Sequence, residues 1–307
     1  HAAAYAVVSY QTAYLKYYYP REFMAALMTS VMDNVSKFSE YVLTCRRMMG
    51  IPVLPPDINE GESGFSVSGD AIRYGLSAIK SVGKPVTEVI LAERERNGPF
   101  RSMEDFVGRM SMKEVNKRTL ENFIKSGALD TLPGTRRQKM AVAPTMLEEK
   151  AREKKSMFEG QLSLFDIAGE EDRNEFQITF PDVGEYSKDE LLAFEKEILG
   201  VYISGHPLDD YEETWRRNIT ATSAQFIVDE ETDAAGSRAV IGGLVAGKTV
   251  KTTRTNQLMA FITLEDLLGP VEVIVFPRDY EANRDLFTED SKLFIRGRVS
   301  IGDDPVG

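Results

Sequence analysis

The sequence predicts a multidomain α+β chain, mainly helical over its first two-thirds and all-β at its end. Three observations carry that prediction. Apolar residues recur at helical spacing through much of residues 1–50 and 76–158. From residue 239 the period changes to that of strands. The chain has 307 residues, more than one hydrophobic core usually supports, since single cores stop growing at roughly 250–300 residues.

The elements follow in order. Residues 1–50 are rich in Ala, Leu, Met and Tyr, with Pro20 at a tolerated helix start. Val31 to Met49 continue the pattern until Pro52, Pro55 and Pro56 stop it. Residues 57–76 are punctuated by Gly61, Gly64 and Gly69, and the runs at 65–67 and 72–74 read as short strands. Residues 76–132 return to helix. Pro85 marks a helix start, with Val86, Val89, Ile90 and Ala92 as its apolar face. Asn116 is an N-cap for a helix through Lys125 that turns Leu120, Phe123 and Ile124 inward, and Gly127 is the expected stop. A charged helix spans 136–158, and an acidic stretch without periodicity, read as a linker, spans 159–187. Ser187 and Glu190 form a capping box for a helix to Leu199. Strands are expected at 239–250, 258–264, 271–276 and 292–300, with a short helix at 279–286.

Composition narrows the function classes. The chain is 42% hydrophobic and 28% charged, which is ordinary globular usage. One cysteine, Cys45, allows no internal disulfide, and with only His1 and His206 beside it there is no Cys/His zinc site. No run reaches the ~18–20 apolar residues of a membrane span. The first residues are neither a Met start nor a signal peptide, so the chain is expected to be part of something longer, in a reducing cytoplasmic setting.

The formal net charge is −11, which taken alone argues against nucleic acid. Its distribution says more. Residues 101–155 carry thirteen basic and eight acidic side chains, net +5, whereas residues 156–215 carry three and sixteen, net −13. Either these are two solvated surfaces or they face different partners.

Three motifs carry candidate chemistry. Lys80-Ser81-Val82-Gly83-Lys84 sits between two helical stretches. A helix, a tight Gly turn and a second helix make a helix-hairpin-helix, whose exposed N–H groups can receive a phosphate oxygen. Asn116-Lys117-Arg118-Thr119 repeats the arrangement at the next helix start. Such contacts position a duplex without reading its bases; the alternative is an ordinary turn with solvated lysines. Gln161-Leu162-Ser163-Leu164-Phe165 places apolar side chains in an acidic linker, where they either tuck back onto their own domain or plug a partner's pocket. The β-β-β-α-β order from residue 239 is the beginning of an OB-fold, with a fifth strand not evident before Gly307. Lys248, Lys251 and Arg254 lie at its first hairpin, and Phe261 and Phe276 are either core or stacking platforms. Asp209-Asp210 and Asp303-Asp304 read as solvated acidic turns, and no catalytic or metal constellation is recognisable.

Several of these stretches together resemble the family of bacterial DNA polymerase III alpha subunits, the replicative C-family polymerases. They are HAAAYAVVSYQTAYLK at 1–16, PREFMAAL at 20–27, VLPPDIN at 53–59, YGLSAIKSVG at 74–83, NKRTLE at 116–121, IKSGALD at 124–130 and LGVYISGHPL at 199–208. The likeness weakens at 140–158, 168–185 and 220–237. It implies a map. Residues 1–50 would be the end of the fingers region. Residues 51–215 would hold duplex DNA and the sliding clamp (the beta subunit), with Gln161 to Phe165 as the clamp-binding pentapeptide. Residues 216–307 would be a linker and an incomplete OB domain near the single-stranded template. The catalytic aspartates, and the magnesium they hold, would lie upstream of His1, so this stretch would be a non-catalytic fragment without cofactor. Its expected partners are the clamp, primer-template DNA and other replisome subunits, with no membrane. Two alternatives remain: a helix-hairpin-helix/OB protein of DNA-repair or ligase type, and an interaction scaffold without DNA contact.

Overall fold

A computed structural model of the chain describes residues 2–158, 179–227 and 236–300. The chain divides into two compact units, His1–Ser204 and Gly205–Gly307, each with its own apolar core. The sequence puts breaks near residues 50 and 215; packing draws one break, at 204. Met24, Met28, Phe38 and Cys45 are buried in the same cluster as Ile58, Phe65 and Tyr74, so residues before and after position 50 share a core. Trp215 belongs to the second unit, where its indole N–H donates to the Gly242 carbonyl at 2.7 Å.

The first unit begins with α1 (Ala2–Tyr18), α2 (Pro20–Ser30) and α3 (Val35–Leu43). Pro20 opens α2, as expected. The continuous helix expected from Val31 to Met49 is broken. Asn34 caps α3 by accepting from the Lys37 N–H at 3.1 Å, and one π-helical turn, Thr44–Met48, follows it. From that turn the Arg46 guanidinium donates to the carbonyls of Tyr202, at 2.8 Å, and Ile203.

Three short strands form one sheet in the order β1-β3-β2: β1 (Val53–Leu54), β2 (Ser66–Ser68) and β3 (Ala71–Arg73). The β2–β3 hairpin is legible in the sequence. The two residues of β1 pair in parallel with Ile72 and Arg73 and are too few to show alternation.

Residues 76–132, expected to be helical, hold a single 3₁₀ turn, Leu76–Ala78, and three helices: α4 (Lys84–Asn97), α5 (Met103–Arg109) and α6 (Lys117–Lys125). On α4 the buried residues are Thr87 and Ile90; Val89 is exposed, as is Ala92, so only part of the expected apolar face turns inward. On α6 Leu120, Phe123 and Ile124 are fully buried as expected, which removes apolar side chains worth roughly 1.5–3 kcal/mol each from water. The expected caps are present: Asn116 accepts from the Thr119 N–H at 3.1 Å, and Gly127 turns the chain at φ +82. Gly127 has a second reason to be glycine, since a Cβ there would run into the Arg136 guanidinium.

Helices α7 (Arg136–Phe158) and α8 (Lys188–Leu199) complete this unit. Ser187 and Glu190 make the expected capping box. Glu185 comes from the irregular segment between the helices. Its carboxylate accepts from the N–H groups of Arg136 at 2.9 Å and Arg137 at 3.1 Å, which closes the positive end of α7. Burial pushes the Glu185 carboxyl up, but hydrogen bonds from Tyr186, Arg136 and Arg137 outweigh it and hold the group below its ordinary value.

The second unit contains α9 (Glu212–Asn218), α10 (Ala224–Ile227), β4 (Arg238–Thr252), β5 (Leu258–Glu265), β6 (Pro270–Val275), α11 (Pro277–Asn283) and β7 (Lys292–Arg298). The four strands make a curled antiparallel sheet in the order β6-β5-β4-β7. The long β4 pairs with β7 over its first half and with β5 over its second, bending at an irregularity between Val245 and Gly247. One face is core: Ile241, Val245, Ala260, Ile262, Leu264 and Val275 pack under Tyr280 and Phe287. This arrangement matches the expected OB-fold. Among the described residues no helix is long and apolar enough to cross a membrane.

Candidate nucleic-acid interface

The first hairpin begins where the chain leaves the 3₁₀ turn. The first arm expected to be a helix is thus only one turn. Ser81 takes a left-handed conformation, φ +65, which is uncommon for a residue with a side chain. The Val82 N–H closes the turn onto the Ile79 carbonyl at 2.9 Å, and Ile79 and Val82 are buried beneath it. Lys80, Ser81, Gly83 and Lys84 are exposed.

Gly83 is the N-cap of α4 and has no capping side chain. Its conformation, φ −92 and ψ 167, is open to any residue. A Cβ added there would meet nothing closer than the Pro85 Cδ, at 3.6 Å. Neither backbone shape nor internal crowding therefore calls for glycine at this point. The first N–H groups of a helix have no carbonyl within it to receive them. Pro85 contributes none, which leaves those of Gly83 and Lys84 at an exposed surface suited to an anion.

The second element is the start of α6. Asn116, Lys117 and Arg118 are exposed on its first turn, above the buried Thr119 and Leu120. Lys117 lies 4.0 Å from Glu121, a loose surface pair of little energetic weight. A residue that the sequence reading missed joins the two elements. Asn122, on α6, donates its side-chain amide to the Lys80 carbonyl at 2.6 Å. It lies off the apolar stripe of α6, so periodicity gave no sign of it.

The OB sheet supplies a third surface. Strand register places Thr249, Phe261 and Ile274 side by side on the face opposite the core. Lys251 sits over the Phe261 ring at 4.6 Å. Phe276, just past β6, is 62% exposed, so the reading of it as core fails. Alternation along β4 puts Lys248 on the face of Ile262 and Lys251 on the face of Phe261. The two lysines grouped by sequence thus lie on opposite faces, and Arg254 is exposed in the turn between β4 and β5. The stretch from Gln161 to Phe165 lies outside the described residues. Among the described residues, no cluster of three or more His, Cys, Asp or Glu could hold a metal ion.

These modules define a class: a helical unit with helix-hairpin-helix elements joined to an OB-fold, two designs for holding nucleic acid. Residues 50–139 match a helix-hairpin-helix motif family and residues 239–306 match an OB-fold nucleic acid binding domain. Over nearly its full length the chain is homologous to a segment of the DNA polymerase III alpha subunits. It is 39% identical over 308 residues to the subunit of Borreliella burgdorferi, covering 99% of this chain and 26% of the relative. The subunit of Thermus aquaticus is 38% identical, with 99% and 24% covered. That of Vibrio cholerae is 36% identical, with 99% and 26% covered. The chain spans about a quarter of the length of these relatives.

Proposed function

We propose that this chain is the DNA- and clamp-holding part of a replicative DNA polymerase alpha subunit, and that the catalytic groups of the polymerase lie outside it. The turn at Lys80 to Lys84 and the first turn of α6 at Asn116 to Arg118 grip the phosphate backbone of the primer-template duplex. The outer face of the OB sheet, with Phe261, Phe276 and Lys251, receives the single-stranded template by stacking and charge. The pentapeptide Gln161 to Phe165 docks into the sliding clamp.

The observation that carries the reading is Gly83. The fold asks no more of it than a helix-cap preference over alanine of about 0.5–1 kcal/mol, and it stands at an exposed helix start with Lys80 before it and Lys84 after it. An external group that approaches the backbone closely supplies a further reason for glycine. The relatives align across both modules and the segments between them, which favours the polymerase over a repair or ligase-type protein. Holding the duplex and the clamp at once raises avidity by ~10²–10⁴ over either contact alone, and that keeps a polymerase on its template.

The test is duplex binding across a salt series. Neutralising Lys80, Lys84, Lys117 and Arg118 should weaken binding uniformly across sequences and flatten its salt dependence by roughly one unit of slope per charge. Unchanged binding removes the hairpin assignment. For the clamp, Leu164→Ala with Phe165→Ala should abolish capture of the cognate clamp, and undiminished capture removes that assignment.

A further inference from the structure

The main chain of Lys80 is held from two sides. Its N–H donates to the carbonyl of Ile198, in the last turn of α8, at 3.1 Å. Its carbonyl accepts from the Asn122 side chain on α6 at 2.6 Å. Asn122 is only 7% exposed and sits more than a turn along α6 from the exposed residues at its start, so it is not placed to contact a duplex itself. The residue that follows Lys80 is Ser81, whose left-handed φ of +65 is disfavoured for anything but glycine, with Asn and Asp the usual exceptions. The Val82 N–H closes the turn around it onto the Ile79 carbonyl, and the two hydrogen bonds on Lys80 anchor the residue immediately before it.

We propose that Asn122 is a positioning residue for the phosphate-binding turn. It ties the turn of the first hairpin to the helix that carries the second cationic cluster. The amide groups of Gly83 and Lys84 and the side chains of Lys117 and Arg118 then meet a duplex as one pre-formed surface. Pre-organisation of this kind raises affinity by lowering the ordering cost of binding, without adding a contact. The inference rests on the proposed duplex-binding role of the hairpin.

The experiment uses the whole 307-residue chain. Asn122→Ala removes the donor. The expected result is a loss of duplex affinity of roughly three- to tenfold, with the slope of affinity against salt unchanged because every cation remains. In the free protein the amide resonances of Ser81, Gly83 and Lys84 should shift. Ser81→Gly in the Asn122→Ala background should restore most of the affinity, since glycine adopts the left-handed turn without support. Because Ser81→Gly also relieves the strain of a left-handed serine and so raises stability generally, a thermal melt of each variant accompanies the binding assay, and the affinity loss of Asn122→Ala should be present well below its melting temperature. Amide resonances that stay in place, or an affinity loss that Ser81→Gly leaves untouched, overturn the inference. A control separates its failure from that of the hairpin reading. If Lys80→Ala with Lys84→Ala weakens binding and Asn122→Ala does not, the positioning role alone is wrong. If the double lysine change leaves binding intact, the hairpin does not hold DNA and both fall.

Discussion

Replacing Gly83 by alanine separates folding from binding at one atom. In the folded chain the change is nearly silent. The backbone there suits alanine, and the new methyl meets only the Pro85 Cδ, at 3.6 Å. Alanine is a poorer N-cap than glycine by about 0.5–1 kcal/mol. The reduced freedom of the unfolded chain returns about 0.4–1 kcal/mol. The net change should lie within about 0.5 kcal/mol, which for a unit of this size moves the melting temperature by less than about 2 °C. Binding should respond strongly. A methyl at the helix start stands where a phosphate oxygen must come to reach the N–H groups of Gly83 and Lys84. A hydrogen bond to a charged group contributes about 1.5–3 kcal/mol, so losing one weakens binding by roughly ten- to a hundredfold. Fluorescence anisotropy of a labelled duplex at several salt concentrations measures the effect, with a thermal melt as control. The salt slope should stay constant, because Lys80 and Lys84 keep their charges. Wild-type affinity in a normally folded Gly83→Ala chain would refute the reasoning, since no phosphate would then approach Gly83.

Two further predictions concern other parts of the chain. Glu185→Gln should cost about 0.5–1 kcal/mol by removing the anion at the start of α7. Because the folded carboxyl is held below its ordinary value of 4.5, its contribution is present at neutral pH and is lost as pH falls through the lowered value; acid melts of wild type and variant should therefore converge. In the OB unit, Phe276→Ala with Phe261→Ala should weaken binding of a single-stranded oligonucleotide by about 1–3 kcal/mol per stacked base, with duplex binding unchanged; equal losses for both ligands would count against the stacking role.

The features legible in the sequence are those encoded by neighbours along the chain. Pro20, Asn116, Gly127 and the Ser187–Glu190 box each mark a helix end through local hydrogen bonding or backbone preference, and each is found where expected. Strand β5 shows itself by alternation, because one of its faces packs on a core, whereas β4 is buried on five consecutive residues, Ile241 to Val245, and its placement in the sequence rests on its β-branched run. What the sequence does not reveal is long-range. Arg46 reaches Tyr202 and Ile203, Glu185 caps a helix that begins 49 residues earlier, and Asn122 holds a turn 42 residues before it. No periodicity records such pairs. The split of Lys248 from Lys251 was readable in principle, since residues three apart on a strand face opposite ways; the sequence reading grouped them by proximity instead.

The same distinction changes what the charge blocks mean. By segment, residues 101–155 are the basic region and 156–215 the acidic one, which suggests a DNA-attracting block beside a DNA-repelling one. In the fold the two are partly each other's counter-ions. Glu197 pairs with Lys125 at 3.0 Å, and the buried Glu195 lies 4.0 Å from Arg136, whose closer partner is Asp130 at 2.7 Å, inside the basic block itself. Glu195 also accepts from the N–H groups of Ile203 and Ser204, at the end of the first unit. Glu197 and Glu195 thus offset cations that segment arithmetic would have offered to DNA. Among the described residues, Lys80, Lys84 and Arg118 form no such ion pair, although the first two lie within residues 1–100, where ten basic and ten acidic side chains cancel. If the proposed duplex-holding role is right, the electrostatic footprint on DNA is set by which cations the packing leaves at exposed helix starts. Charge reversal at Lys125 should act mainly on stability, and charge removal at Lys84 mainly on duplex affinity.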